Sequence, residues 1–346
     1  MSWTDIFPHF DDDDLAVFDE ASTNEDREKL AELFQVVEVI NPRLAEHVVS
    51  ASLFWKPTDP PRGPMPPVTR ELLQDPAAHG FEGRQSNPWK HYVEPLFAGA
   101  RILAEKRPDV VFRVYLANDL AFVISELVEA GCEVYLMESS SIGMQPGMMW
   151  RFLALEHQGL VTVTDSDRAQ DVIHDVERTE RVAEAGLSHW RVAYTCGQEA
   201  ARQALPTHYR PVLACQFGSA KAYPMKYLMS AFIWSCWHGK ISTELGLGPE
   251  RRMVIMGSHW PDYGFDEWFL QTAFFPRMAF HGVLSFVPWG DRSLNQWFAL
   301  DIEYCTWANL RSEIFYHGDP VVHKEDVPDP IEIRIEANLA ENLQPA

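Results

Sequence analysis

The chain has 346 residues, 46% of them hydrophobic, and its 29 Lys and Arg stand against 50 Asp and Glu for a net charge of −21. That apolar content is enough for a full core in one large domain or two. The acidic balance, with no cluster of basic residues, excludes a broad nucleic-acid footprint, which needs clustered positive charge; a small phosphate-bearing ligand stays compatible, because a bound cation offsets local acidity.

Five widely spaced cysteines, Cys132, Cys196, Cys215, Cys236 and Cys305, form no C-x-x-C pair. Neither a disulfide framework nor a structural zinc site is expected, and a reducing, cytoplasmic setting fits. Met1 to Leu15 has no basic stretch followed by a long apolar run, so no signal peptide is read there. The longest apolar stretch, around Leu228 to Trp237, is too short to span a bilayer.

In chain order, Asp11 to Asp14 reads as a solvated or helix-capping acidic run. Asn24, Glu25 and Asp26 begin a helix with Leu30, Leu33 and Phe34 on one face, so residues 1–55 are expected to be helical. Prolines at 57, 60, 61, 64, 66 and 67 make Lys56 to about Pro88 an irregular connector. From Asp109 the pattern changes to strand (Val110 to Leu116), helix (Leu120 to Ala130, closed by Gly131), strand (Glu133 to Met137), helix (Met148 to Glu156) and strand (Leu160 to Thr164). This alternation predicts a mostly parallel α/β sheet whose ligands lie beyond the carboxyl ends of the strands. Further on, Leu228 to Trp237 and Asp266 to Phe275 read as helices, Val283 to Val287 as a strand, and the alternating IEIRIE after Asp326 as an edge strand. The implied division is a helical, proline-rich N-terminal extension over 1–105, an α/β domain over 106–330 and a tail over 331–346.

The chemistry centres on Asp165-Ser166-Asp167, directly after the strand Leu160–Thr164. Two carboxylates two residues apart can point to one side of an extended chain. Hard oxygen ligands suit Mg²⁺ or Mn²⁺, and a cation so held can neutralise a diphosphate. Trp150-Arg151-Phe152, the turn at Gly159, the apolar strand and the D-x-D motif together resemble the nucleotide-sugar site of GT-A-fold glycosyltransferases, above all glycogenin-like enzymes and their bacterial and viral relatives. The resemblance covers roughly residues 110–300. It implies that Asp165 and Asp167 hold Mn²⁺ or Mg²⁺, that Ser166 lies in the same motif, and that Arg151 reaches the donor or orders its loop. Asp266-Glu267 resembles the D-Q helix start of that group, which implies Asp266 as the sugar-facing carboxylate, with Glu267 where Gln is common. Cys215 to Lys221 falls where the family has a small-residue turn lining the sugar pocket, which implies close approach at Gly218 and a phosphate contact from Lys221. A C-terminal histidine often supplies a third metal ligand in such enzymes; His259, His281 and His317 are available, and His281 is preferred because it follows the Asp266 helix.

The expected activity is therefore transfer of a sugar from a nucleoside-diphosphate sugar to an acceptor hydroxyl, the acceptor being a carbohydrate, protein or small molecule. Two other readings share features with this sequence. A haloacid-dehalogenase-like phosphatase also opens with D-x-D, but here Arg168-Ala169 follows where Gly-Thr is usual, and His323 stands where a final Asp is needed after Gly318-Asp319. A non-catalytic carbohydrate-binding protein would use aromatics such as Trp289, Trp297, Phe298, Tyr304 and Trp307 as a platform. No P-loop, G-x-S-x-G elbow or H-E-x-x-H motif is present.

Overall fold

The computed structural model describes residues 12–55, 67–82, 85–138, 146–184, 186–192, 194–195, 209–210, 212–238, 265–280, 283–288 and 295–300. Two helices open the described chain, α1 (Asp12–Ala21) and α2 (Asn24–Leu33). Asp12, Asp13 and Asp14 occupy the first turn of α1, where carboxylates favour the helix dipole. Thr23 and Asp26 form a reciprocal capping box that starts α2. Leu30, Leu33 and Phe34 are buried as expected.

Strands β1 (Val36–Ile40) and β2 (His47–Leu53) follow, so the helical expectation for residues 1–55 fails beyond α2. Every residue of β2 is buried. An all-buried strand of a parallel sheet reads as a continuous run of apolar and small residues rather than an alternating one, which hid it beside the helices. After α3 (Arg70–Gln74) and α4 (Glu94–Lys106) come β3 (Val110–Ala117), α5 (Ile124–Glu129), β4 (Glu133–Met137), α6 (Gly147–Trp150) and β5 (Leu160–Thr164). This is the strand–helix alternation expected, with 3₁₀ turns preceding α5 and following α6. Then follow α7 (Val172–Glu184), β6 (His189–Val192), a two-residue ribbon of β7 (Tyr194–Thr195) and β8 (Tyr209–Arg210), β9 (Gln216–Ser219), α8 (Met225–Trp237), α9 (Phe265–Phe269), α10 (Phe275–Phe280), β10 (Val283–Pro288) and β11 (Asn295–Leu300).

Among the described residues, nine strands form one mixed sheet in the order β1-β4-β3-β2-β5-β9-β6-β10-β11. Strands β2, β3, β4, β5, β6 and β10 run one way; β1, β9 and β11 run the other. The chain moves outward from β2 through β3 to β4, then returns to lay β5 on the other side of β2. In such sheets the crevice for a ligand opens at the carboxyl ends of the two strands flanking this reversal, here β2 and β5.

The N-terminal segment is part of this body rather than an appendage. β2 pairs with both β3 and β5 in the middle of the sheet. Phe18 of α1 sits edge-on to Tyr227 and Trp234 of α8, with ring centroids 5.6 Å apart in both pairs, and Trp150 Nε1 donates to the Leu33 carbonyl (2.8 Å). No helix among the described residues is long and apolar enough to cross a membrane. The IEIRIE segment and the rest of the tail lie outside the described residues.

Candidate active site at the carboxyl edge

Residue 151 is fixed from the neighbouring strand. Ser50 and Ser52, two apart on β2 and therefore on one face, grip its backbone: Ser50 Oγ donates to the Arg151 carbonyl (2.7 Å) and the Arg151 N–H donates to Ser52 Oγ (2.8 Å). The side chain runs inward and is almost wholly buried. Its Nε donates to the Ala214 carbonyl (3.1 Å). Nη1 pairs with Asp165 Oδ1 at 2.8 Å and Nη2 with Asp266 Oδ2 at 2.6 Å. One guanidinium thus joins the first acid of the D-x-D motif to the first acid of α9.

Asp165 leaves β5 in extended conformation and precedes a 3₁₀ turn, Ser166–Asp171, yet its side chain makes no capping hydrogen bond there. The turn is set against α4 at Gly99, where even a methyl group would overlap the backbone of Ala169. Ser166 is buried. Asp167, partly exposed, pairs through Oδ2 with His91 Nε2 at 3.3 Å. His91 belongs to a π-helical segment, Trp89–Val93, that leads into α4. Sequence reading passed over His91, because the segment to about Pro88 looked like a connector and nothing marked the next few residues. The one available signal was Asn87-Pro88 before an aromatic-rich helix start.

The electrostatics set this edge apart. Burial pushes the Asp266 carboxyl above its ordinary value, Arg151 pulls it down, and Asp165 adds to the rise. Burial and then the like charge of Asp165 push Asp167 up, against His91 and Arg168. The Cys215 thiol, just before β9, is pushed up to about 12 by burial first and by Asp165 next, which makes it a poor nucleophile. Glu267, partly buried, adds its field to Arg151 and Cys215. Arg168 lies near Asp167 and Cys215, and its Nε is buried with no hydrogen-bond partner.

Two expected site residues are placed elsewhere. Gly218 does not line a turn; it is an interior residue of β9, opposite Thr162 on β5 and Trp190 on β6. The space above its Cα is taken by the Trp190 indole and the Thr179 hydroxyl, leaving no room for a ligand. Lys221 lies at the wrong edge. β9 runs against β5, so the chain passes from Gln216, paired with Thr164, to Ser219, paired with Val161. Lys221 therefore follows at the amino-terminal edge, its N–H donating to Ser219 Oγ (3.1 Å). His281, His259 and His317 lie outside the described residues, as do the side chains of Trp289, Trp297, Phe298, Tyr304 and Trp307.

Among the described residues, no group of three or more His, Cys, Asp or Glu side chains is placed to hold a metal ion. A Mg²⁺- or Mn²⁺-type ion needs less than that when it arrives with a phosphorylated substrate: one or two carboxylates, with phosphates and water completing the shell. Asp167, with Asp165 beside it, has carboxylate oxygens of that kind, one of them (Asp165 Oδ1) already paired with Arg151, and the Arg168 guanidinium adds positive charge nearby. Compared with known proteins, the chain matches no family model, no curated protein and no solved structure.

Proposed function

We propose that the protein is a glycosyltransferase that takes a sugar from a nucleoside-diphosphate donor, with Mn²⁺ or Mg²⁺, and passes it to an acceptor hydroxyl. One observation carries the reading. Two blocks of the same resemblance, far apart in the sequence, the D-x-D motif and the Asp266-Glu267 helix start, meet on the single guanidinium of Arg151. Support also comes from the sheet. Its central order, β4-β3-β2-β5-β9-β6-β10 with β9 alone reversed, is compatible with a GT-A arrangement, and the acid pair stands at the carboxyl tip beside the reversal point.

In this reading the D-x-D motif anchors a divalent ion, which supplies positive charge to the departing nucleoside diphosphate. Arg168, close to Asp167, adds positive charge at the phosphate end. Arg151 fixes the distance between the phosphate end of the site and Asp266. Asp266, with its carboxyl pushed up by burial, presents hydrogen-bonding oxygens to the transferred sugar, with Glu267 beside it. Four carboxylates (Asp165, Asp167, Asp266, Glu267) face two guanidiniums (Arg151, Arg168). A bare diphosphate is therefore repelled, and the cation is required for donor binding.

The test is a thermal-shift screen of nucleoside diphosphates with and without Mn²⁺, followed by assay of nucleoside-diphosphate release from matched nucleotide sugars. Stabilisation should appear only with Mn²⁺ and rise with ligand concentration. Asp167→Asn should remove it while leaving the unliganded melting temperature within a few degrees. Binding without sugar release would favour the non-catalytic carbohydrate-binding reading. No nucleotide response at all would sink the proposal.

A further inference from the structure

The two aspartates of the motif differ in what already holds them, and the difference assigns them different tasks. Asp165 is committed to Arg151 at 2.8 Å. Releasing it would strip one partner from a guanidinium that is only 6% exposed, and uncompensated buried charge costs several kcal/mol. Asp167 is paired with His91, a side chain that is itself 41% exposed, and otherwise feels Arg168 and a backbone hydrogen bond, so its ion pair gives way more readily to an incoming ion.

We propose that the cation site is formed by His91 Nε2 and Asp167, with Asp165 acting as a clamp on Arg151 rather than as a metal ligand. This rests on the transferase reading for its purpose, though not for its geometry. The imidazole nitrogen and the carboxylate oxygen are 3.3 Å apart. Adjacent ligands of a six-coordinate ion with bonds of about 2.1 Å are about 3.0 Å apart, so a shift of a few tenths of an ångström admits the ion between them. His91 is held near this position by its place on the π-helical turn and by edge-on packing against Tyr92, with centroids 4.6 Å apart. With two protein donors, the remaining positions of the ion go to water and phosphate. An imidazole ligand also favours a first-row transition ion over Mg²⁺, so the site selects Mn²⁺.

The experiment uses the full chain and Mn²⁺ alone, read by loss of the free-ion electron paramagnetic resonance signal. It is paired with Mn²⁺-induced broadening of histidine ring protons in the nuclear magnetic resonance spectrum. His91→Gln and Asp167→Asn should each weaken Mn²⁺ binding by about tenfold or more, Asp165→Asn should change it less than about threefold, and the His91 ring resonances should broaden first. Both decisive substitutions are at part-exposed positions and leave the core untouched. Unchanged Mn²⁺ affinity in His91→Gln, or sharp His91 resonances at saturating Mn²⁺, overturns the proposal even if Asp165→Asn does not fold. Repeating the titration with uridine and guanosine diphosphates separates the two claims. Mn²⁺-dependent nucleotide binding that ignores His91→Gln leaves the transferase reading and removes this site. Mn²⁺ held at His91 with no nucleotide binding does the reverse.

Discussion

Strand β5 has a polar network at each end, and the two are built on opposite principles. At its amino end, His47 Nε2 and Thr162 Oγ1 are 2.9 Å apart, Thr162 and Thr179 share a 2.7 Å hydrogen bond, and Trp190 Nε1 donates to Thr179 Oγ1 at 2.8 Å. His47 Nδ1 meets Glu180, and Arg107 bonds both Glu180 and Asp109. There partners win over burial: hydrogen bonds from Arg107 bring the Glu180 and Asp109 carboxyls below their ordinary values. At the carboxyl end, burial and like charge win, and Asp266 and Asp167 rise. A network made for stability satisfies its carboxylates; one that leaves them raised has a surplus for something else to meet.

The largest effect should come from cutting the clamp. Arg151→Met leaves Asp266 buried without its cation and should cost about 3–5 kcal/mol in urea melts. Adding Asp266→Asn should recover a good part of that loss, because the stranded charge goes with it. Thr179→Val is next: it keeps the shape but leaves the Trp190 N–H unpaired, at about 1–3 kcal/mol. Arg107→Met makes the same chemical change as the first variant at the other edge. Its partners Glu180 and Asp109 reach water, with side chains 28% and 62% exposed, so the loss should be about 1 kcal/mol or less. If Arg107→Met proves as damaging as Arg151→Met, the contrast between the edges is wrong.

These two ends were not equally legible. The carboxyl-edge motif announced itself because β5 is a short β-branched run followed directly by the D-x-D acids, and because α6 and its 3₁₀ extension carry an arginine where the helix pattern placed it. The strands flanking it did not. β2 reads HVVSASL, and its serines look like solvent-facing residues when they are in fact the grips on Arg151. β9 is four residues long, and its glycine suggested a turn; only the tertiary neighbours Trp190 and Thr179 explain why a strand needs glycine there. α7 has the helical spacing Val172, Val176, Thr179 and Val182 on its buried face, but one of those positions, Thr179, joins the polar network. The Arg151–Asp266 pair spans 115 residues, a distance over which no local pattern carries information.

The finest probe of the contrast is pH. A carboxyl whose folded value is depressed stabilises the fold above its ordinary range, and that contribution is lost as pH falls through the folded value. Glu180 and Asp109 behave this way, so stability from the amino edge fades in acid. A carboxyl whose folded value is raised has the opposite sign. As pH falls toward the raised value, the folded chain takes up a proton before the unfolded chain does, and stability is gained. Asp266 and Asp167 belong to this class. Urea melts from neutral pH down to about pH 4 should therefore separate two variants. Glu180→Gln removes part of the acid-induced loss and flattens the curve, whereas Asp266→Asn removes part of the acid-side gain and steepens it, each by about 1 kcal/mol or less. His47 is pushed down by burial and raised by Glu180, so Glu180→Gln also deepens the acid loss that His47 protonation brings, and both variants are compared in a His47→Gln background where that contribution is gone. The difference between the two curves, rather than either slope alone, carries the sign. Curves that bend the same way would mean that Arg151, not burial, sets the ionisation of Asp266.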